Sequence, residues 1–263
     1  MTMTSLKNVL ELDFAYLETF TSRIEKSWGA IFCNESNPHY YDANHAHVSV
    51  VSLNPQIIVD EVVDFYKTKN IVPRFYIYNL DMQEKLISEL QIKNFGFEEL
   101  ISPVQLWNKK LTKKDKNEKV TIEKVSGLNF EEALDIECSI KEIGGEVRKK
   151  VFQDEFKHPA FTHYLLRYNG VACAIACIFE HEKQARMESV ATIEKFRGKG
   201  LIGELIHFIQ SEVMNRGLDN LWVIPINEKV EKVYEKYGFE TVEKIKTGHA
   251  FLEGKSIKEI HEG

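Results

Sequence analysis

The sequence of 263 residues lacks any apolar run long enough to span a bilayer, and it lacks the charged-then-apolar start of a secretory leader. It also has fewer cationic than anionic side chains, with 34 Lys and Arg residues against 40 Asp and Glu residues, which gives a formal net charge of -6. A general nucleic-acid binder shows a basic surface, so this charge balance argues against that class. We therefore expect neither a membrane partner nor a nucleic-acid partner.

Cysteine is scarce as well. The four cysteines are Cys33, Cys138, Cys173 and Cys177. In a strand, Cys173 and Cys177 would share a face about 13 Å apart, which is too far for a disulfide. The sequence therefore predicts reduced thiols and a cytoplasmic protein.

Several familiar sites are missing. No Ser/His/Asp or Cys/His arrangement is recognisable, and His45 and His47 would share a strand face without a clear third metal ligand, so we expect no metal. A Walker-type loop ends in Gly-Lys-Ser/Thr, whereas Gly200 is followed by Leu-Ile, which offers no hydroxyl for magnesium. A Gly-x-Gly-x-x-Gly spacing is present, but it lies too late in the chain for a dinucleotide fold.

The segment 187–203 is the most informative part of the chain. The β-branched and apolar residues 190–193 predict a strand, and Leu201, Leu205, Phe208 and Ile209 have the spacing of one helix face. Between them stand two glycines flanked by Arg197 and Lys199. Such a turn lets backbone N–H groups approach an anion, and the helix N-terminus adds partial positive charge. This pattern predicts a phosphate-binding loop.

A second segment decides which phosphate ligand to expect. Asn227 opens a predicted helix that carries Tyr234 and ends in Gly238-Phe239, after a short strand at 221–224. With the Arg197-x-x-Gly200 loop, this region, from about 120 to 252, resembles a GCN5-related N-acetyltransferase (GNAT) domain. Two positions depart from the family pattern, since Ile202 replaces a small loop residue and Val230 replaces an alanine.

The resemblance implies acetyl-CoA as co-substrate and a defined set of contacts. Backbone groups of the strand would bind the pantetheine arm, the loop would bind the pyrophosphate, and the later helix would complete the site. The implied coenzyme-binding residues are Val190, Ala191, Thr192, Arg197, Gly198, Lys199, Gly200, Leu201, Ile202, Gly203, Asn227 and Tyr234.

Acetyl transfer to an amine also needs a proton donor and a proton acceptor. The resemblance implies that Tyr234 donates a proton to the departing CoA thiolate, since the two groups have comparable basicity. Strand alternation would place Glu188 on the face of Val190 and Thr192, so Glu188 is either the general base, acting directly or through water, or a surface glutamate.

The cation-rich stretch 109–119 is predicted to be a linker between two domains, 1–110 and 119–254, and the alternative is a basic interaction patch. The order of predicted elements after it is β-α-α-β-β-β-α-β-α-β, and 239–252 is predicted to be a pair of strands. The strand–helix–Gly96-Phe97 pattern before it predicts a degenerate first copy, with Ile92 in place of Tyr234. The alternative is that this Gly-Phe pair is merely a common way to end a helix. We therefore expect an α+β (mixed α/β) GNAT fold, a central mixed sheet flanked by helices, in two tandem copies.

The predicted reaction is acetyl transfer from acetyl-CoA to a primary amine by direct attack in a ternary complex. The acceptor, a small molecule or a peptide, is not identifiable from the sequence, and a homodimer stays open. A sensor or partner-binding module that holds CoA or acetyl-CoA without turnover is the alternative, because Ile202 alters the loop and a general base is not assured.

Overall fold

The computed structural model of the chain describes residues 3–111, 117–141 and 145–262. Its α-helices are α1 (Met3–Leu17), α2 (Pro55–Lys67), α3 (Glu84–Ile92), α4 (Phe130–Ser139), α5 (Arg148–Lys157), α6 (Leu201–Asn215), α7 (Glu228–Glu235) and α8 (Ile257–Glu262). Its strands are β1 (Ser22–Lys26), β2 (Gly29–Cys33), β3 (His45–Val48), β4 (Arg74–Ile77), β5 (Gly96–Trp107), β6 (Val120–Lys124), β7 (Phe161–Tyr168), β8 (Val171–His181), β9 (Gln184–Thr192), β10 (Asn220–Val223) and β11 (Phe239–Phe251).

The chain forms two compact units, and each is assembled from two stretches of sequence. The larger unit comprises Met1–Tyr16 and Ser102–Lys244, and the smaller unit comprises Leu17–Ile101 and Ile245–Gly263. Strands β5 and β11 therefore each contribute residues to both units. This division differs from the predicted boundaries of 1–110 and 119–254. The prediction depended on the polar stretch 109–119, which is visible in the sequence, whereas the long-range strand pairing of β5 and β11 is not.

In the larger unit the strands lie in the order β5–β10–β9–β8–β7–β6. Strands β6 to β9 are antiparallel neighbours, β9 and β10 are parallel, and β10 pairs antiparallel with β5. From residue 120 onward the predicted order of elements is confirmed. The predicted strand pair at 239–252 is wrong, since β11 is one continuous strand.

Helices cover both faces of this sheet. The core on the α6 side, the "α6-side core", includes Trp107, Met187, Leu205, Ile209 and Tyr234. The core on the opposite face, the "α4-side core", includes Ala133, Ile136, Phe152, Leu165 and Ala191. Leu165 lies in the α4-side core and its neighbour Leu166 in the α6-side core, as expected of a strand that is buried on both faces. The turn between β7 and β8 is the predicted Asn169-Gly170 hairpin, with both residues at positive φ.

In the smaller unit the order of strands is β1–β2–β3–β4–β11. Its element order β-β-β-α-β-α-β, from β1 to β5, equals that from β7 to β11, which supports the predicted internal repeat. Two residues after α3 ends, the left-handed Asn94 donates its N–H to the Gln91 carbonyl oxygen, as the Gly238 N–H donates to the Glu235 carbonyl oxygen after α7. This match places the fully buried Leu90, rather than Ile92, at the position of Tyr234. The first copy lacks the tyrosine in either alignment.

Two of the buried histidines of the smaller unit, His45 and His249, have pKa values well below the ordinary value for histidine. His45 Nδ1 lies 3.0 Å from the Asp42 carbonyl oxygen, and His249 lies between Glu98 (Nδ1–Oε1, 2.8 Å) and Arg74. Burial lowers the pKa of His45 to about 3 and, despite the Glu98 contact, that of His249 to about 4. In the unfolded chain both would titrate near pH 6.5. Below that pH the unfolded state therefore binds more protons than the native state.

We expect the free energy of unfolding to fall as the pH is lowered from 6 to 4, with each buried histidine contributing about 1 kcal/mol per pH unit. Urea titrations at several pH values would measure this slope. His45→Gln should reduce the slope, whereas His181→Gln, which removes an exposed histidine, should leave it unchanged. An equal slope for wild type and His45→Gln would contradict the assignment.

The four cysteines are unpaired thiols, as predicted. Among the residues that the structure describes, no helix is long and apolar enough to cross a membrane. Within the same residues, no group of three His, Cys, Asp or Glu side chains is arranged to hold a metal ion.

Candidate active site

Strand β9 carries a β-bulge where it faces β8. Cys177 of β8 stands opposite Glu188, whereas Ile175 stands opposite Ala191, so β9 has one extra residue in this interval. Ser189 has a φ of 50°, and among the described non-glycine residues with positive φ it is the one inside a strand. An extra residue in one strand bends it and interrupts the ladder.

The bulge shows that the predicted side-chain alternation is wrong. Val190 packs against the α6-side core, as Met187 does, whereas Glu188 interacts with Arg148 and Glu155 of α5. Glu188 and Val190 therefore lie on opposite faces of the sheet, because the extra residue shifts the alternation by one position. Glu188 faces the side of α4 and α5.

Beyond the bulge, β9 also loses its parallel neighbour. Strand β10 pairs with β9 at Gln184, Ala185 and Arg186 and at no later described residue. The edge of β9 that faces β10 thus has no strand partner along residues 187–192, and at its end the Thr192 carbonyl oxygen accepts a hydrogen bond from Arg197. Backbone N–H and C=O groups need partners, so an unpaired interior edge is suited to an extended amide-containing ligand. The predicted residues Val190, Ala191 and Thr192 lie on this segment.

The glycine loop follows directly. Gly198 and Gly200 have φ values of 78° and 76°, and Gly200 is the N-cap of α6. A Cβ atom on either glycine would meet no other atom within 4 Å, so the loop opens toward solvent. Arg197 and Lys199 are exposed beside it, and the Arg197 Nε donates to the Thr192 carbonyl oxygen (3.1 Å). Backbone N–H groups at a helix N-terminus with adjacent cations form an anion site.

The remaining loop residues belong to the packing of α6. Leu201 is buried in the α6-side core, and Ile202 packs against it. A Cβ atom on Gly203 would overlap the hydroxyl of Tyr237. Gly203 therefore allows the segment after α7 to approach α6 closely, a role that the spacing of glycines does not show.

Helix α7 completes the arrangement. The Asn227 Oδ1 accepts a hydrogen bond from the Val230 N–H (3.0 Å) and caps the helix. Tyr234 is 5% exposed and packs edge-on against Phe239, and its hydroxyl makes no hydrogen bond within the described part of the chain. Burial, and secondly the negative charge of Glu188, raise the pKa of Tyr234 well above its ordinary value. Tyr234 and Glu188 are thus close enough to influence each other.

Glu188 is half-buried and forms an ion pair with Arg186. Burial raises the pKa of Glu188 and outweighs the opposing effect of Arg186. Arg186 in turn donates to Asp13 (2.7 Å) and lies over the ring of Tyr16 (4.1 Å), so α1 helps to hold the pair. This support is not predictable from the sequence, since nothing in the first residues marks a contact with β9.

The structure therefore brings the predicted strand, loop and α7 residues into one unit, with Glu188 and Tyr234 beside the unpaired edge of β9. The arrangement offers an anion site, an extended edge of backbone donors and acceptors, a protonated phenol and a carboxylate. These are the groups that a phosphate-bearing, amide-containing thioester requires.

Comparisons with known proteins agree with this geometry. Residues 130–239 match the model of the acetyltransferase (GNAT) family. A functionally unknown conserved protein from Staphylococcus epidermidis is similar in structure (TM-score 0.72, 17% identity, 92% of this chain and 98% of that chain). A GCN5-related N-acetyltransferase from Kribbella flavida gives a TM-score of 0.71 at 14% identity, over 96% of this chain and 97% of that chain.

A GCN5-related N-acetyltransferase from Sphaerobacter thermophilus is also similar (TM-score 0.59, 12% identity, 78% of this chain and 70% of that chain). A search of curated proteins finds no match. At these identities the solved structures show a shared fold, and the family model locates the conserved domain in the larger unit. Residues 130–239 of the chain therefore form a domain that matches the GNAT family.

Proposed function

We propose that the larger unit transfers the acetyl group of acetyl-CoA to an amine by direct attack in a ternary complex. The observation that carries this proposal is the position of Tyr234, buried beside an unpaired strand edge that leads into a glycine loop. In this proposal Tyr234 lies at the sulfur of the coenzyme, the strand edge binds the pantetheine arm, and the glycine loop binds the pyrophosphate.

In this proposal the pyrophosphate lies at the N-terminus of α6. Gly198 and Gly200 leave room for it, and Arg197 and Lys199 provide compensating charge. The pantetheine amides pair with the free edge of β9 at 190–192, and a backbone N–H of this segment polarises the thioester carbonyl. The side chain of Asn227 stabilises the start of α7 and thereby the position of Tyr234.

The chemical step forms a C–N bond and breaks a C–S bond. The neutral amine attacks the carbonyl carbon, and its proton passes to Glu188, directly or through water. The tetrahedral intermediate then collapses, the CoA thiolate departs, and Tyr234 gives it a proton. A phenol is protonated at neutral pH, and the raised pKa of Tyr234 keeps its proton in place until the thiolate forms beside it.

We propose a small molecule or a peptide amine as the acceptor and a cytoplasmic site of action, in line with the four unpaired thiols. The acceptor would enter on the side of α4 and α5, which Glu188 faces. Residues 142–144, between α4 and α5, lie outside the described residues.

Release of CoA from acetyl-CoA, measured with a panel of polyamines, amino acids, aminoglycosides and peptide N-termini, tests the activity. An enzyme releases CoA only with an acceptor amine, and mass spectrometry then identifies the acetylated product. Binding of acetyl-CoA without turnover on any amine would support the sensor instead.

Gly200→Val is expected to weaken the binding of acetyl-CoA about 10-fold or more. A valine in the left-handed region costs roughly 1–3 kcal/mol and would project into the space assigned to the pyrophosphate. Isothermal calorimetry measures Kd directly. Gly127→Val is the control, since it also adds a side chain in open space but lies outside the loop. Equal Kd values for the two variants would refute the loop assignment.

A further inference from the structure

A buried polar network lies between α4, α5 and the bulge of β9, and the proposed reaction uses none of its members directly. Arg148 donates from Nε to Glu137 Oε1 (2.8 Å) and from Nη2 to both oxygens of Glu155 (3.1 and 3.0 Å). The same Nη2 lies 3.2 Å from Ser189 Oγ, and Ser189 Oγ donates to Glu137 Oε1 (3.0 Å). Arg148, Glu137 and Glu155 are all at least 95% buried.

Ser189 is where this network meets the backbone of β9. Its φ of 50° lies in the left-handed region, which a non-glycine residue adopts at a cost and holds only when its surroundings enforce it. The two hydrogen bonds of its hydroxyl fix the side chain from the α4 side and the α5 side at once. Serine has no backbone preference of its own for the left-handed region, so we attribute the positive φ of Ser189 to these two hydrogen bonds.

The network is itself rigidly held. Glu155 also contacts His163 (Oε2–Nε2, 3.4 Å) and the Tyr16 hydroxyl (3.5 Å). Arg148 is surrounded by two buried carboxylates, so moving it would separate charges in a poorly solvated interior. Ser189 is therefore anchored to groups that have little freedom to move.

We propose that Ser189, Glu137 and Arg148 are positioning residues that lock the β9 bulge and so aim the backbone N–H groups after it at the thioester carbonyl. This rests on the proposed function, and it couples the helices on the acceptor side to the strand that binds the coenzyme. The hydroxyl of Ser189 touches no substrate in this scheme and acts only through the backbone.

Glycine gives a direct test, because glycine adopts positive φ without help. Ser189→Ala removes both hydrogen bonds and keeps the Cβ, so we expect kcat to fall about 10-fold with little change in the Kd of acetyl-CoA, which the loop dominates. Ser189→Gly removes the same hydrogen bonds, but glycine adopts the positive φ of the bulge without them. Most of the activity should therefore remain, with kcat falling by at most about 3-fold. Ser211→Ala, which removes a half-buried hydroxyl from α6, is the matched control and should not change kcat.

A double-variant cycle separates positioning from stability. Glu137→Gln weakens the hydrogen bond from the Ser189 hydroxyl while keeping the shape of the side chain. In the wild-type background it should lower kcat about 5-fold or more, and combined with Ser189→Gly it should lower kcat clearly less. Melting temperatures of all variants, measured in parallel, identify any that fail to fold; Ser189→Ala and Ser189→Gly then still test the proposal without Glu137→Gln. A purely structural network would lower the melting temperature and leave the alanine and glycine variants equally active.

Amide hydrogen exchange of residues 187–191 supplies a readout that does not need turnover. Faster exchange in Ser189→Ala than in Ser189→Gly and wild type supports the positioning role of Ser189. This result would stand even if no acceptor amine were found, and such a failure would concern the proposed function alone. Equal exchange and equal kcat in alanine, glycine and wild-type proteins would overturn the inference while leaving the acetyltransferase activity intact.

Discussion

Replacing Tyr234 by phenylalanine is expected to lower kcat by about 100-fold or more, because a positioned acid is lost from the step in which the thiolate departs. The ring and its contact with Phe239 remain, so the Kd of acetyl-CoA and the melting temperature should hardly change. Steady-state kinetics with an identified amine, calorimetry and a thermal melt measure the three quantities. A lower kcat with an unchanged Kd and melting temperature would show that Tyr234 acts as the proton donor rather than as a packing residue.

Tyr66→Phe is a control of the opposite kind. Tyr66 is fully buried in the smaller unit and donates to the Phe32 carbonyl oxygen (2.6 Å). Its replacement should cost about 1 kcal/mol of stability and leave kcat unchanged. If Tyr234→Phe instead turns over at the wild-type rate, Tyr234 is a packing residue and water supplies the proton.

The segment 119–254, produced alone, is expected to show no cooperative unfolding transition and no binding of acetyl-CoA. It lacks the part of β5 that pairs with β10, where Leu106 and Gln105 stand opposite Trp222 and Val223. It also lacks Trp107, which is 2% exposed in the α6-side core. Loss of one buried tryptophan side chain costs about 3–5 kcal/mol, a large part of the 5–15 kcal/mol that stabilises a typical domain.

Cleavage of the intact chain within the segment 109–119, which was predicted to be a linker, is the control for this truncation. A protease site introduced there leaves every strand of the larger unit present, so the nicked protein should still melt cooperatively and bind acetyl-CoA. Circular dichroism and calorimetry compare the nicked and the truncated proteins. A cooperative melt of 119–254 alone would show that β5 is dispensable.

The sequence was sufficient for features that depend on local pattern. Helix periodicity, the Asn169-Gly170 turn and the glycines at 198 and 200 are short-range signals, and the element order after residue 120 followed from them. The bulge at Ser189 was not predictable, because serine is not a residue that marks left-handed backbone and its anchors are distant in sequence. The predicted face of Glu188 was wrong for the same reason, because the bulge shifts the alternation of side chains along β9.

Long-range pairing also escaped prediction. The Gly96-Phe97 and Gly238-Phe239 pairs suggested equivalent helix ends, but backbone geometry matches Asn94 with Gly238. No local property of β5 tells that its last residues complete a unit built mainly from later sequence. Likewise α1 carries no motif, yet Asp13 supports the Arg186–Glu188 pair.

The pairing of β4 with β11 affects how the chain folds during its synthesis. Strand β4 is made early, but its antiparallel partner, which runs from Gly248 opposite Ile77 to Phe251 opposite Arg74, leaves the ribosome only after β5 to β10 have been made. Until then β4 has an unpaired edge, which is a template for wrong strand pairing. Contacts so distant in sequence also slow folding. The smaller unit, although it comes first in the sequence, is thus completed last.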